Sequence, residues 1–447
     1  MQLKKFDSAG VAHVILLLVI VVGVAIIGVY LLLASHGLDL QTANTLAADK
    51  AVQARERLQT LPDYAGISLT DDGKINIYSK NPSAAFRSQA VGDNNGSDFV
   101  FHQTQHTAQE YDQVQASIVQ DTGFLHSQGV KLVSAAANPE TDSVDLTIES
   151  PTDSVLKLIT QKYGEIVKVK SGERIRRLTA NHLSHFAATL DPGGSTTITS
   201  RLTDSAPWNG GDVIATHSGT CSSGLAIKNS AGTTMVMTAG HCFMDPGSAS
   251  TLSSYKYLVY QKNDSSPYGT NTSLMGYAAA KNTIKGFDVA LINARAYGRI
   301  WTTEKLTDQS STAKQKQIGA AYSVKGELVC VSGAFSGQNC SGKVGMVDGT
   351  IWECRDDSCY YSDPYPHMSI ATNIYGSVMA GPGDSGAPVY AKRTTGFLVK
   401  GLLIAGKPGL PCQYYNTGDR YNNCAATVYY HEIAPLLQNL NAKIYVP

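Results

Sequence analysis

All eight cysteines of this 447-residue chain lie after residue 220: Cys221, Cys242, Cys330, Cys340, Cys354, Cys359, Cys412 and Cys424. An even set confined to one half reads as a disulfide framework within one folded unit, and disulfides persist where the compartment is oxidising. The C-terminal half is therefore expected to fold outside the cytoplasm. A zinc site would need more than Cys354, Cys359 and His367, which offer no CxxC pair and no fourth ligand, so no metal is expected. Length alone calls for two or three units. Lys+Arg and Asp+Glu balance at 36 each, which argues against a nucleic-acid partner. A charged fraction of only 16%, with abundant Gly, Ser, Thr and Tyr, suits an extracellular, turn-rich β protein.

The compartment is also written at the N-terminus. Residues 14–34 (VILLLVIVVGVAIIGVYLLLA) form an uncharged apolar run, long enough for a helix to cross a bilayer. Lys4 and Lys5 precede it, and positive flanks stay inside. Residues 1–13 are thus expected in the cytoplasm, 14–34 as a single-pass signal-anchor, and the rest outside. The alternative is a secreted protein whose signal peptide is cleaved, although LLLASHGLD offers a poor small-x-small site. Residues 35–65, rich in Ala, Leu, Gln and charge, are expected to form a helix, either a stalk above the membrane or an ordinary helix of the next domain.

From 66 to 110 the chain is polar with no strong period, and Asp93-Asn94-Asn95-Gly96 marks a loop. SVDLTIE (143–149) alternates as a strand. Pro151, Thr152 and Asp153 start a helix that Gly164 stops, and EIVKV (165–169) alternates again. Residues 66–190 are expected to be a small α+β domain, and the Gly/Ser/Thr/Pro-rich stretch 191–205 a linker. Beyond it, Leu225–Ile227, Met235–Thr238, Tyr257–Tyr260, Val289–Ile292, Glu327–Val331, Ala387–Tyr390 and Leu398–Ile404 read as short antiparallel strands of a sandwich or barrel. No repeat and no glycine-rich phosphate loop is present, and no cofactor is expected.

Two stretches crowd small residues around one reactive side chain: TAGHC around His241 and GPGDSGAP around Ser385. A serine hydroxyl is a poor nucleophile until a base takes its proton. A histidine can do so if a buried carboxylate fixes its tautomer. His241 follows the apolar run MVMTA, at a strand end. Asp288, in GFDVALINA, sits beside apolar groups able to bury it. The glycines before Ser385 permit a tight turn that aims the N–H groups of Gly383 and Ser385 into one concavity, where they could face an oxyanion.

The order His241, Asp288, Ser385 and the wording TAGHC, DVALI and GDSGAP resemble the chymotrypsin-like serine endopeptidases, above all their bacterial α-lytic protease and streptogrisin branch. The likeness covers residues 206–447 and implies a mostly β fold of two antiparallel β-barrels. It implies His241 as general base and acid, Asp288 as its orienter and Ser385 as nucleophile. It also implies bridges Cys221–Cys242, Cys330–Cys340 and Cys412–Cys424, which leaves Cys354 with Cys359. The strand-helix-strand at 143–170 resembles part of the pro-regions of these enzymes, and the N-terminal domain would then be an intramolecular pro-domain released by a cut near 190–206; the alternative is an accessory domain that stays attached and holds the protease off the membrane. Protein or peptide substrates follow, with the membrane as second partner through the N-terminal helix.

Departures matter. The family commonly places a basic residue where Val331 stands, so the partner of Asp384 is open. Ile404 replaces the serine that helps support the catalytic aspartate. Met379 falls at the pocket base and Gly406 where glycine leaves the pocket open, which points to an apolar or aromatic residue before the cut. The runner-up reading is a catalytically silent homologue acting as an envelope binding or adhesion module. A GxSxG elbow of the α/β-hydrolase kind would need Asp419 and His431 in the triad, with Ala387 at the motif's last position and no alternating strands and long helices around it.

Overall fold

The computed structural model describes residues 44–177, 201, 204–216, 219–243, 256–261, 273–279, 286–303, 314–353, 364–413 and 420–447. The apolar run 14–34 lies outside them. Among the described residues no helix is long and apolar enough to cross a membrane.

The N-terminal part opens with helix α1 (44–58). Ala47, Ala48, Ala51, Val52, Ala54 and Leu58 are buried, a helical repeat of small side chains that lets the helix lie close against a sheet. It packs on β1 (Tyr64–Leu69), β2 (Ile75–Ser79), α2 (Ala84–Val91) and β3 (Phe99–Gln103), and the same cluster takes in Ala321 and Val324 from the C-terminal half. Helix α1 is thus part of a folded core rather than a stalk. The 66–110 stretch, which showed no strong period, also holds a three-stranded sheet in the order β1-β2-β3. Its strands are too short to show alternation and are selected by what covers them. Next come α3 (Ala108–Gln120), opened by a Thr107/Glu110 capping box, α4 (Thr122–Ser127), β4 (Leu132–Asn138), β5 (Ser143–Ile148), α5 (Asp153–Tyr163), β6 (Val167–Ser171) and β7 (Arg176–Arg177). Thr152 caps α5 and Gly164, at φ 75°, ends it, as the sequence pattern requires.

The C-terminal half is mostly strand, with only one α-helix among its described residues. In chain order it contains β8 (Trp208–Gly210), β9 (Val213–Thr216), β10 (Gly219–Ser222), β11 (Ala226–Lys228), β12 (Thr234–Ala239), β13 (Lys256–Gln261), β14 (Ser273–Ala279) and β15 (Val289–Asn293). There follow β16 (Ala296–Trp301), β17 (Lys314–Ala320), β18 (Leu328–Gly333), β19 (Gly337–Trp352), β20 (Pro364–Asn373), β21 (Pro388–Arg393), β22 (Gly396–Gln413), β23 (Arg420–Glu432), α6 (Ile433–Leu440) and β24 (Lys443–Ile444). One eight-stranded antiparallel sheet runs β10-β9-β13-β14-β15-β12-β11-β24. A thirteen-stranded sheet runs β6-β5-β4-β19-β18-β21-β22-β17-β16-β8, with β20 and β23 closing against β19 and β22 and β7 pairing with β22. A large apolar cluster joins the two sheets through Leu225, Met237, Ile292, Leu402 and Ile404.

Two features cut across the expected boundaries. First, β4 pairs with β19 (Ala135 with Thr350, Ser134 with Ile351), so the N-terminal unit shares a sheet with the C-terminal half. Second, Arg201, inside the expected 191–205 linker, is 0% exposed and donates to the carbonyls of Gly211 (3.1 Å), Gly333 (3.2 Å) and Thr303 (2.9 Å). The packed C-terminal unit therefore begins no later than residue 201. The bridges Cys221–Cys242, Cys330–Cys340 and Cys412–Cys424 are formed. Cys354 and Cys359 lie outside the described residues.

Candidate active site

The strand TMVMTA (β12) runs between β11 and β15 in its sheet and is buried from Val236 to Ala239, where Val236, Met237 and Ala239 join the apolar cluster between the two sheets. It ends in a single 3-10 turn, Gly240–Cys242, that carries His241. The neighbouring strand β15 begins one residue after Asp288, and its pairing with β12 (Ala239 with Val289) brings the aspartate beside that turn. A Cβ on Gly240 would lie 2.9 Å from Asp288 Oδ1, so glycine is what lets the two segments close. The Cys221–Cys242 bridge fixes the turn from behind.

Ser385 arrives from the other sheet, 144 residues after His241. It sits in the turn before β21, between Gly383 at φ 95° and Gly386 at φ 86°, backbone conformations that favour glycine. Side chains at these positions would also collide. A Cβ on Gly386 would meet Thr238 Oγ1 at 2.2 Å, and one on Gly383 the Phe335 ring at 2.4 Å. Ser222 links the sheets here: its Oγ donates to the Gly383 carbonyl (3.1 Å) and accepts from the Ala334 N–H (2.9 Å), while its N–H donates to the Ser385 carbonyl (2.9 Å).

The three side chains meet. His241 Nε2 lies 2.8 Å from Ser385 Oγ, and His241 Nδ1 is in short contact with Asp288 Oδ2. The His241 N–H donates to Asp288 Oδ1 at 2.7 Å. With a carboxylate at Nδ1, the neutral ring carries its proton there and leaves the Nε2 lone pair for the serine hydroxyl. Such an arrangement can take the hydroxyl's proton and then hold the resulting cation against the carboxylate. His241, Asp288 and Ser385 are all buried, with Ser385 at 0% exposure.

Asp384 finds its partners in the backbone. Its Oδ1 accepts the N–H groups of Phe335 (2.8 Å) and Ser336 (3.1 Å), and its Oδ2 that of Gly381 (2.8 Å). Burial pushes its carboxyl above the usual range, and these donors pull it partly back. Arg201 adds positive potential from the far side of Gly333, against which Asp384 packs. A basic side chain at Val331 is thus replaced by loop amides plus an arginine 130 positions earlier in the chain. Val331 itself is buried among apolar neighbours.

Met379 is fully buried among Val329, Val344 and Ala380, with its terminal methyl over Gly342, and no acid stands in its place. Gly406 lies on β22. There β7 pairs antiparallel with it: Arg177 opposite Ala405 and Arg176 opposite Gly406. Two residues of note escape sequence reading. Arg201 sits in a stretch whose composition says linker. His431, which donates no motif, contacts the backbone of Asp288. Only tertiary pairing exposes either one.

No protein-family model matches the chain, and no curated protein matches it. Solved structures do. The Nocardiopsis protease NAPase aligns at 19% identity with a TM-score of 0.33, over 53% of this chain and 97% of that one. Protease A of Thermobifida fusca aligns at 18% and 0.34, over 54% and 98%. Alpha-lytic protease homolog N4 aligns at 20% and 0.36, over 53% and 98%. Each of these likenesses covers only about half of this chain.

Proposed function

We propose that this chain is an extracytoplasmic serine endopeptidase, made as a membrane-anchored precursor. The observation that carries the reading is the 2.8 Å approach of His241 Nε2 to Ser385 Oγ, with Asp288 at the opposite ring nitrogen. As Ser385 Oγ bonds to the scissile carbonyl carbon, its proton passes to His241 Nε2. The carbonyl oxygen becomes an oxyanion facing the N–H groups of Gly383 and Ser385. Collapse breaks the C–N bond, His241 returns the proton to the leaving amine, and an acyl-enzyme remains. Water, deprotonated by the same imidazole, releases the acid and restores Ser385.

The substrate is a protein or peptide laid along β22, with Met379 and Gly406 at its specificity pocket and an apolar or aromatic residue preferred before the cut. In the intact chain β7 occupies that edge and Ser385 is closed to solvent. The N-terminal unit therefore acts as an intramolecular pro-domain that must leave the cleft before a substrate enters. Burial of Arg201 narrows the expected cut from 190–206 to a position before 201. The run 14–34, preceded by Lys4 and Lys5, holds the precursor in the membrane with the protease outside.

The test is labelling with a fluorophosphonate, which reacts with an activated serine. Protein made from the full-length chain should be labelled, and Ser385→Ala should be silent and accumulate as uncut precursor. Asp288→Asn should lose about 10⁴-fold in kcat. Equal labelling of wild type and Ser385→Ala would defeat the proposal.

A further inference from the structure

Ile404 stands where a hydroxyl was expected to steady Asp288, and it is fully buried and apolar. The aspartate is held by other contacts. Its carbonyl accepts the Gly240 N–H at 3.0 Å and its Oδ1 the His241 N–H at 2.7 Å, both from the histidine's own turn. Its own N–H donates to His431 Nε2 at 2.9 Å, and this contact comes from β23 in the other sheet, 143 residues further along the chain.

His431 is built to accept that bond. It is 0% exposed, with the Phe287 ring tilted over it at 5.1 Å and the Tyr365 ring edge-on at 6.0 Å. These rings leave the imidazole no room to turn away. Because Nε2 accepts, the ring proton lies on Nδ1, which is buried and makes no hydrogen bond of good geometry. The titratable groups facing the ring are Asp288 ahead of β15 and His367 of β20, which stacks on the other side of Phe287 and is paired with Asp348 of β19 at 2.7 Å. Burial, reinforced by His367 and opposed by Asp288, pushes its pKa down to about 4, so the ring keeps its lone pair wherever His241 can work as a base. A residue needed only to fill space here would carry no acceptor and would leave a buried amide without a partner.

We propose that His431 is a positioning residue of the triad: its Nε2 anchors the Asp288 amide and so sets the angle at which the carboxylate meets His241 Nδ1. This rests on the protease reading of the site. It assigns to a histidine from the second sheet the support that Ile404 does not give.

The experiment compares wild type, His431→Gln and His431→Leu, each produced from the full-length chain. Gln can place its carbonyl oxygen near the position of Nε2, whereas Leu keeps the volume without an acceptor. Fluorophosphonate labelling, kcat, KM, the acid limb of kcat/KM and thermal unfolding are measured for each. His431→Leu should lose roughly 10–100-fold in kcat, the order that a small misplacement of catalytic groups costs, with KM within about threefold. Its acid limb should move to lower pH, because a loosened Asp288 stabilises the imidazolium less. His431→Gln should recover most of kcat and restore the limb. Wild-type kcat and limb in His431→Leu would overturn the proposal, as would equal losses in both variants with an unmoved limb. If the Leu variant does not fold, His431→Asn, whose oxygen falls short of the amide, takes its place, and equal activity of Asn and Gln overturns the idea. A wild type that is not labelled at Ser385 brings down the protease reading itself, and this proposal with it.

Discussion

Gly383→Ala tests the oxyanion geometry. Gly383 has φ 95°, a region that alanine enters at a cost of about 1–3 kcal/mol. Its added methyl would lie 2.4 Å from Cδ2 and Cε2 of Phe335, more than 1 Å inside contact distance. Phe335 cannot easily withdraw. Its ring is buried and its N–H is tied to Asp384 at 2.8 Å. Overpacking of this kind adds about 1–3 kcal/mol, so enduring the clash unrelaxed would cost about 2–6 kcal/mol in all. The turn should relax instead by rotating the Gly383 peptide, which takes its N–H away from the reacting carbonyl. Loss of one such donor lowers kcat about 10²–10³-fold, or about 3–4 kcal/mol. Steady-state kinetics on a peptide substrate, with thermal unfolding in parallel, should therefore give a folded variant with that fall in kcat and KM within about threefold. Gly376→Ala is the control. It shares a positive φ, 67°, but has open space around the methyl position, so it should lose about 1 kcal/mol of stability and no activity. A folded Gly383→Ala protein with kcat within about threefold of wild type would show that this amide does not face the oxyanion.

Two further outcomes follow from buried groups. His431 titrates at about 4 in the fold against 6.5 as a free side chain, so between these values the unfolded chain binds a proton that the native state refuses. Stability should rise with pH across that window, and acidification from 7 to 4 should remove about 3 kcal/mol that His431→Gln does not lose, read from urea melts at each pH; parallel pH curves for the two proteins would refute it. Arg201→Met should destabilise the protease by about 3 kcal/mol or more, because three carbonyls lose a buried charged donor. For the same reason the mature N-terminus, read by Edman degradation, should fall at or before residue 201, and a start after it would contradict the clamp.

What could be read in advance was whatever is local. TAGHC needs a small residue where Gly240 closes on Asp288, and GDSGAP needs glycines where Gly383 and Gly386 take positive φ and leave no room for a side chain. The Thr152 cap and Gly164 stop of α5 are likewise decided within a few residues. Strands such as Met235–Thr238 and Leu398–Ile404 were legible because they are largely buried and mostly apolar, with Lys400 the one charge in the second. Long β19 was not. GQNCSGKVGMVDGTIW has glycines at four positions and bulges against β20, so its alternation is broken although it pairs with β18 and β20 along its length. Helix α1 looked like a spacer because alanine is neutral about its surroundings, and its packing shows only in its contacts with β1–β3, α2 and, far along the chain, Ala321 and Val324. Arg201 and His431 were illegible for a related reason. Apart from Gly211, ten positions from Arg201, their partners lie 102 to 143 positions away, and a single side chain gives no period.

The ladder between β4 and β19 makes separation of the N-terminal unit more than a cut in a connecting loop. Whichever piece departs strips hydrogen-bonding partners from Ser134–Ala135 on one side and Thr350–Ile351 on the other, and leaves two raw sheet margins in solvent. Neither fragment is a finished surface. The liberated unit should be short-lived, cleared by proteolysis or prone to self-association. On the proposed cut, the C-terminal piece would carry a sticky border on the very strand its former companion had covered.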